Sequence, residues 1–444
     1  MSAIGDPAAV RPSLTSVVDA SCGIVTRAWS EELPTFGPPA LRMFLAQLAP
    51  TDRLGPPLGS DTTAGTAWWS DEAARWAAIG EAVEWYCASL VPEDLADVAS
   101  TDLDPARRLD LADVALYSHE QLSTPGFPFE PLSADRTRRW AWGARLDASP
   151  VAVPASLVYL GYGSGPTRTA SLANLPVNAG LGAHYDRDRA VAAAVAEAIE
   201  RDALAEAWTF GAALEPLALP DWFEVELAAD GSTRWQLFRL PTCVDAAGVM
   251  AVVHHPEQGA FGVGAAVRDH GVAAARKAVA EAMVSANGGL EIQRANSRQC
   301  ARLLDDGGPL SPWRADRQYR RSYREDWRDV VDIACHAQLY VDPAMQQGAL
   351  DRFAALTAGR PAVPLESVIG APLDALAEEL VRGGFDPIVV DVTTTDVAVA
   401  GWTVVRVVVP GLRATAPAAF PALGETRRSR LHPGSPHLDP VPHV

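Results

Sequence analysis

The amino-acid sequence predicts a mixed α/β (α+β) fold. Three alanine-rich stretches carry the periodicity of helices, and runs rich in valine and isoleucine separate and follow them. Alternating helices and strands are typical of α/β and mixed architectures. The chain has 444 residues, of which 48% are hydrophobic and 21% charged, and this is the composition of a folded globular protein. The length suggests two to three units, although one intertwined unit can also reach this size.

The N-terminal sixty residues are predicted to hold short strands. Runs such as SVVDASCGIV alternate there with the proline- and glycine-containing stretches PTFGPP and LGPPLGS. A helical period then runs from Asp71 to about Leu90, and Ser70 stands where an N-cap is expected. The sequence therefore predicts that a first helix follows the strand-rich segment.

The middle of the chain is predicted to continue the alternation. A polar stretch to about residue 145 precedes an apolar strand candidate, PASLVYLGYG. The second helix includes residues 194–208, and strands are expected around RWQLFRLPTCV and VMAVVHH. A third helix begins near Gly271.

The C-terminal part is predicted to contain two strands and a proline-rich tail. FDPIVVDVTTTDVAVAGWTVVRVVVPGL is rich in valine and isoleucine, and its two strands are joined by polar residues and a glycine. HPGSPHLDPVPHV is too rich in proline for a helix or a central strand. We predict a strand-rich segment over residues 1–60, a core over residues 61–430 and a tail over residues 431–444.

Charge and cysteine usage exclude some classes of function. The net charge of −18 disfavours nucleic-acid binding, which needs clustered lysine and arginine. The locally basic segment 314–329 is interpreted as a solvated linker or helix. The five cysteines are Cys22, Cys87, Cys243, Cys300 and Cys335. They are scattered, without a CxxC motif, which indicates free and mostly buried thiols in a reducing compartment rather than a zinc site. The sequence shows no signal peptide and no membrane span, so we expect a cytoplasmic protein.

Two pairs of glutamates stand three positions apart on the predicted helices. Glu81 with Glu84, and Glu197 with Glu200, place two carboxylates on one helix face, where like charges repel. A magnesium ion between the carboxylates would offset this repulsion, and Arg201 could then reach a phosphate. Solvated helix faces explain such pairs equally well. The chain has no GxxxxGK[ST], GxSxG or HExxH motif.

The residues resemble the YcaO superfamily, in particular its azoline-forming branch. GTAWWSDEAARWAAIGEAVEWY, NAGLGAHYDRDRAVAAAVAEAIERDALAEAW and GVGAAVRDHGVAAARKAVAEAM are similar to the three ATP-site helices of that family. The late strands resemble its C-terminal signature, and LDPVPHV resembles a shortened proline-rich tail. The resemblance implies a YcaO-type fold, with the three helices in one large intertwined domain.

The resemblance also implies roles for particular residues, with ATP and Mg²⁺ as cofactors. The magnesium- and ATP-binding carboxylates fall on Glu81, Glu84, Glu197 and Glu200. Arg201 falls on the arginine of the ExxER motif, and Glu281 on the acidic residue of the third helix. Pro440 and Pro442 match the tail, which lies near the reaction centre in that branch, and they are the catalytic candidates.

The chain departs from the family pattern at several positions. Thr66 replaces a loop lysine, Ala77 a serine, Trp85 an arginine, Arg189 a glutamate and Asn287 an arginine, and Val444 stands in place of a final proline. Several of these changes remove a charge-assisted contact to phosphate or metal, and such contacts are the strong ones.

The leading hypothesis is an ATP-dependent cyclodehydratase that forms thiazoline or oxazoline rings in a ribosomal precursor peptide, as in bacteriocin maturation. The resemblance implies that ATP phosphorylates the oxygen of the attacked amide, so that phosphate leaves. The alternative is a degenerate YcaO protein that serves as a scaffold beside an active paralogue. We expect a leader-peptide-binding partner protein, because the sequence offers no room for such a domain, and a homodimer is possible.

Overall fold

The fold was analysed in a computed structural model that describes residues 16–50, 61–114, 116–163, 172–228, 231–294, 301–304, 308–425 and 434–443. Predictions that concern the first fifteen residues, Cys300 and Val444 lie outside the described residues. The mixed α/β prediction is confirmed, since helices pack on three sheets. The predicted domain boundaries stay predictions.

The described strands and helices follow one another in the alternation that the sequence predicts. The strands are β1 (Val25–Glu31), β2 (Leu41–Leu48), β3 (Thr62–Trp68), β4 (Ala96–Ala99), β5 (Thr137–Ala144), β6 (Pro150–Pro154), β7 (Leu181–His184), β8 (Glu215–Ala218), β9 (Arg234–Arg239), β10 (Ala247–His255), β11 (Ala260–Arg268), β12 (Val363–Pro364), β13 (Ile388–Asp391) and β14 (Thr403–Val408). The helices are α1 (Asp71–Ser89), α2 (His119–Ser123), α3 (Arg187–Trp208), α4 (Asp221–Leu227), α5 (Gly271–Gln293), α6 (Ala301–Leu304), α7 (Ile333–Leu339), α8 (Pro343–Leu356), α9 (Leu376–Arg382) and α10 (Thr395–Val399).

The strands form three separate sheets. The first is antiparallel and has the order β1-β2-β3. The second has the order β11-β10-β9-β8-β12, and its pairs are antiparallel except for the parallel pair of β8 and β12. The third has the order β4-β5-β13-β14-β7, with β6 pairing with β5. Each sheet is covered by one of the three long helices.

Side-chain caps fix where these three helices begin. The Ser70 hydroxyl accepts from the Ala73 amide at 3.1 Å, which confirms the predicted N-cap of α1. The Asp186 carboxylate caps α3, and the His270 ring caps α5. These side chains satisfy amide groups that a helix leaves without intrahelical partners.

Glycines on the strands let the helices approach closely. A Cβ atom added at Gly65 of β3 would lie 2.0 Å from the Ala78 amide nitrogen of α1. At Gly182 of β7 it would lie 2.3 Å from the Ala190 carbonyl oxygen of α3, and at Gly264 of β11 it would lie 2.1 Å from the Ala278 carbonyl oxygen of α5. Any larger residue would push the helix away from its sheet. Each long helix is therefore seated on a strand glycine.

Three predictions about local structure need correction. PASLVYLGYG is not a strand: β6 ends at Pro154, and the chain then turns, so that the Leu160 amide donates to the Ala88 carbonyl at 2.7 Å. The run is buried because it lies against the end of α1, but its backbone is not extended. The late strands β13 and β14 are joined through the short helix α10, whose Val397 side chain is buried. The segment 314–329 is partly buried through Tyr319, Tyr323 and Trp327 rather than simply solvated.

Other expectations are met where the structure describes them. Residues 434–443 contain neither helix nor strand, as their prolines require. Among the described residues, Cys22, Cys87, Cys243 and Cys335 form no disulfide; Cys87 and Cys335 are buried, Cys243 is partly buried and Cys22 is exposed. Among the described helices, none has both the length and the apolar character that crossing a bilayer requires.

Candidate functional site

A large cleft opens where α1, α3 and α5 face one another. Its volume is about 1820 Å³. All the cofactor-binding residues predicted from the sequence line it, namely Glu81, Glu84, Glu197, Glu200, Arg201 and Glu281. Each of the three sheets contributes through the helix that covers it, so the cleft is the place where the three sheets meet. Both glutamate pairs therefore face one shared cleft rather than separate outer surfaces of the molecule.

Backbone amides of neighbouring strands and turns hold several of these carboxylates. The Glu84 Oε1 atom accepts from the Ala183 amide of β7 at 2.7 Å, and the Glu197 Oε2 atom accepts from the Gly180 amide at 3.2 Å. The backbone of Ala64 in β3 favours the ionised form of Glu81 and so opposes the rise of its pKa. Carboxylates that accept from backbone amides have a fixed orientation, so these side chains are positioned before any ligand arrives.

Arg201 lies among the carboxylates of α3. Its Nη2 atom is 3.5 Å from Glu197 Oε1, and its Nε atom is 3.8 Å from Glu200 Oε1. Both distances exceed that of a strong charge-assisted hydrogen bond. The Arg201 Nε atom is buried and has no hydrogen-bond partner among the described residues. The guanidinium group therefore keeps hydrogen-bonding capacity for an anionic ligand.

Lys277 is a further cation in the cleft, and the sequence reasoning missed it. Lys277 and Glu281 form an ion pair four positions apart on α5, and both line the cleft. The signal was available, because a lysine four positions before a glutamate on a helix can form such a pair. The site thus contains a lysine although Thr66 replaces the loop lysine of the family.

A buried arginine supports the turn that leads into β7. Arg406 of β14 donates from Nε to the Val158 carbonyl at 3.0 Å and from Nη2 to the Val177 carbonyl at 2.6 Å, and it also donates to the Ala179 carbonyl. Burial lowers the pKa of Arg406 to about 10, against the effect of the nearby carboxylates of Glu197 and Glu84. This arginine holds the backbone that presents the Gly180 amide to Glu197.

The electrostatics of the cleft disfavour a full set of ionised carboxylates. Burial raises the pKa of Glu81 to about 7, aided by Glu281, and raises that of Glu84 to about 8, aided by Glu197. Burial likewise raises the pKa of Glu200 to about 7 and that of Glu197, although Arg201 opposes both shifts. Glu281 behaves in the opposite way. Burial would raise its pKa, but Lys277 outweighs this effect and holds the pKa at about 2. Additional cations would favour the ionised form of the first four glutamates.

The proline-rich segment reaches this cleft at His443. Pro440 and Pro442, the predicted catalytic residues, are both buried. Pro440 lines a small pocket together with Arg413, and His443, which follows Pro442, lines the large cleft. The structure thus brings the end of this segment beside α3, while the catalytic role of the two prolines stays a prediction. His443 itself was not among the residues singled out from the sequence.

The positions that depart from the family pattern also belong to the cleft. Thr66, Ala77, Trp85, Arg189 and Asn287 all line it. Arg189 is exposed at the rim and Asn287 is buried. The substitutions therefore alter the walls of the site itself, and Lys277 is a cation on α5, the helix that also carries Asn287.

Comparison with known families decides the assignment of the chain. Residues 69–413 match the family model described as YcaO cyclodehydratase, ATP- and Mg²⁺-binding. The chain belongs to the YcaO family. The prediction of ATP and Mg²⁺ as cofactors is confirmed at the level of this family. A comparison with curated protein sequences finds no match.

Solved structures show the same fold at low sequence identity. A heterocyclase in complex with substrate and cofactor superposes with a TM-score of 0.67 at 16% identity, over 95% of this chain and 54% of that chain. A YcaO protein from Methanopyrus kandleri, bound with AMPPCP and Mg²⁺, gives a TM-score of 0.53 at 20% identity, over 87% of this chain and 86% of that one. The E. coli microcin synthetase McbBCD complex gives a TM-score of 0.56 at 12% identity, over 87% of this chain and 88% of that chain. This chain therefore spans about half the length of the heterocyclase.

The residues of the cleft fit a magnesium–nucleotide group. In the described part of the chain, no group of three or more acidic, histidine or cysteine side chains is arranged to hold a metal ion. Magnesium commonly takes only one or two carboxylates and completes its shell with phosphate oxygens and water. Together with the unpartnered Arg201 Nε atom and the Lys277 ammonium group, this donor set suits a metal ion bridged by phosphate rather than one enclosed by protein.

Proposed function

We propose that this protein is an ATP-dependent cyclodehydratase that forms thiazoline or oxazoline rings from backbone amides of a ribosomal precursor peptide. The observation that carries the proposal is the convergence of Glu81, Glu84, Glu197, Glu200 and Glu281 with Arg201 and Lys277 in one cleft. Membership of the YcaO family supports it. Lone glutamate pairs on solvated helices would not converge in this way.

The proposed roles follow from charge and geometry. Carboxylates of the pairs Glu81/Glu84 and Glu197/Glu200 would hold magnesium, with only one or two of them on any one ion, while Arg201 and Lys277 would neutralise phosphate oxygens. When bound, ATP supplies the phosphoryl group that turns the amide oxygen into a leaving group. The protein contributes position and charge neutralisation in a site whose dipoles are already oriented. Pro440 and Pro442 would shape the end of the site where the peptide reacts.

The size of the cleft supports a second, larger substrate. Pockets for single small molecules usually have about 300–1000 Å³, whereas this cleft has about 1820 Å³. The extra space suits a peptide segment beside the nucleotide. A leader-peptide-binding partner protein, and an active paralogue or a second copy of this chain, stay proposals as partners. The net charge of −18 continues to disfavour nucleic acid as a ligand.

Calorimetric titration with Mg-ATP tests this proposal. We expect wild-type protein to bind, and Glu197→Ala/Glu200→Ala to lose binding by at least about a hundredfold, because removing groups that bind a charged ligand costs on the order of 1.5–3 kcal/mol each. The matched control is Glu224→Ala/Glu378→Ala, which changes the net charge equally at two exposed positions outside the cleft. Chelation of magnesium should abolish wild-type binding.

The same titration separates the enzyme from the scaffold alternative. The scaffold alternative is favoured by four cleft positions at which a charged residue of the family pattern is replaced, namely Thr66, Trp85, Arg189 and Asn287. A folded wild-type protein without measurable Mg-ATP binding would contradict the enzyme. Equal loss of binding in the control variant would show that net charge, rather than the cleft, governs affinity.

A further inference from the structure

Three successive carbonyl groups hold the proline-rich segment in place. The Asp439 carbonyl accepts from Trp208 Nε1 at 2.8 Å, and the Pro440 carbonyl accepts from the Tyr340 hydroxyl at 2.6 Å. The Val441 carbonyl lies 2.9 Å from His336 Nδ1, and the other ring nitrogen of His336 accepts from the Ala418 amide at 3.0 Å. The three side chains that bind the segment are all buried. These contacts fix both the direction and the register of the segment.

Because this register is fixed, the His443 side chain lies against Arg201. The His443 side chain is only 3% exposed, and the Arg201 Nη1 atom lies 2.8 Å from its Nδ1 atom and 3.0 Å from its Nε2 atom. Burial, reinforced by the positive charge of Arg201, lowers the pKa of His443 to about 3, so the ring is neutral. A neutral imidazole offers one lone pair, and the guanidinium donates to it.

His443 is the closest partner of Arg201 within the described residues. The contacts of Arg201 with Glu197 and Glu200 are longer, at 3.5 Å and 3.8 Å. A guanidinium group is planar and rigid, so fixing the direction of one N–H group fixes the directions of the others. Without His443, the flexible arginine could rotate and pair tightly with the nearby carboxylates, which would occupy the groups needed for metal and phosphate.

We propose that His443 is a positioning residue of the nucleotide site: it accepts a hydrogen bond from Arg201 and so directs the remaining N–H groups of this arginine at a phosphate group. This inference rests on the proposed function and assigns a role within the same site. It makes the proline-rich segment part of the nucleotide site through one side chain, separately from any role of Pro440 or Pro442 towards the peptide.

Titration with Mg²⁺ and a non-hydrolysable ATP analogue tests the role of His443. We expect His443→Ala to weaken binding about tenfold, since a hydrogen bond to a charged group is lost. His443→Gln should stay within about threefold of wild type, because the amide oxygen of glutamine can accept from Arg201. The matched control is Leu438→Ala on the same segment, where the side chain is 47% exposed, and it should bind like wild type.

A double-mutant cycle distinguishes positioning from a structural role. If His443 acts through Arg201, then His443→Ala should weaken binding no further in an Arg201→Ala background. An equal loss in both backgrounds, or equal losses in His443→Ala and His443→Gln, would overturn the proposal. Wild-type affinity in His443→Ala would also overturn it while leaving the proposed function intact. A wild-type protein that does not bind the analogue would overturn both.

Discussion

The pKa of Glu84 reflects the electrostatic environment of the cleft. Its carboxylate is held by the Ala183 amide, yet burial and the nearby charges of Glu197 and Glu81 raise its pKa to about 8. A glutamate in an unfolded chain ionises near 4.5. Between these two values the folded protein holds a proton that the unfolded chain releases. The stability of the ligand-free protein therefore falls as the pH rises through this interval.

Replacing Glu84 by glutamine should remove part of this pH dependence. Glutamine imitates the protonated carboxyl group and keeps an oxygen for the Ala183 amide. We expect the apparent Tm of ligand-free wild type to fall between pH 6.5 and 8, and that of Glu84→Gln to fall less. Buried histidines such as His336 act in the opposite direction near pH 6.5, because their lowered pKa leaves them neutral in the folded protein while the unfolded chain is still partly protonated. This contribution is the same in wild type and in Glu84→Gln, so the difference between the two curves reports Glu84.

Thermal unfolding at several pH values measures this difference, and Glu378→Gln provides the control. Glu378 is exposed and does not line the cleft, so its variant should follow the wild-type curve. Parallel curves for Glu84→Gln and wild type would contradict the raised pKa at Glu84.

At the scale of elements, close contacts between helices and strand glycines fix how near each helix lies to its sheet. These distances determine the depth of the cleft. Gly264 of β11 touches α5 between Ala278 and Ala282, and this is the turn of the helix that carries Glu281. An added Cβ atom would lie 2.1 Å and 2.4 Å from backbone atoms of those two residues. Backbone cannot move aside as a flexible side chain does, so the helix as a whole must shift.

The Gly264→Ala variant should therefore lose stability, by about 1–3 kcal/mol from overpacking. Gly288→Ala is the matched control on α5, because a Cβ atom there meets nothing within 4 Å. Alanine at that position should be neutral or stabilising by about 0.5–1 kcal/mol. Denaturant unfolding measures both changes, and equal stability of the two variants would contradict the proposed seating.

Elements with a strong local signal could be predicted from the sequence, and those that depend on tertiary contacts could not. The N-cap of α1 and the start of α5 near Gly271 are confirmed, since caps and helical periods are local features. The strand prediction for PASLVYLGYG was wrong, because an apolar run indicates burial but does not indicate backbone conformation. The glutamates of the cleft follow from a family resemblance. His443 has no local signal, because only the path of the proline-rich segment brings it to Arg201.

The whole molecule is organised around the meeting point of its three sheets. Glu81 stands on the helix seated on β3, Glu197 on the helix seated on β7, and Glu281 on the helix seated on β11. These strands belong to three different sheets. A ligand that contacts all three helices therefore adds a further link between the three sheets, beside direct contacts such as the Glu84–Ala183 hydrogen bond.

Hydrogen exchange should show this linkage across the molecule. We expect Mg-ATP to increase the protection of backbone amides in α1, α3 and α5 together, since a ligand that binds only the folded state opposes local opening of each part it contacts. Amides of α4, which does not line the cleft, should change little. The Glu197→Ala/Glu200→Ala variant should show no added protection, and protection confined to α3 would contradict the linkage.

The meeting of three sheets at one cleft also has a consequence for folding kinetics. Each helix can dock on its own strand through contacts that are near in sequence, as α1 does on β3. The cleft itself requires contacts between segments that are far apart along the chain, and these form more slowly because long loops must close first. The capacity to bind nucleotide should therefore be among the last properties to return during refolding, after most helical structure has formed.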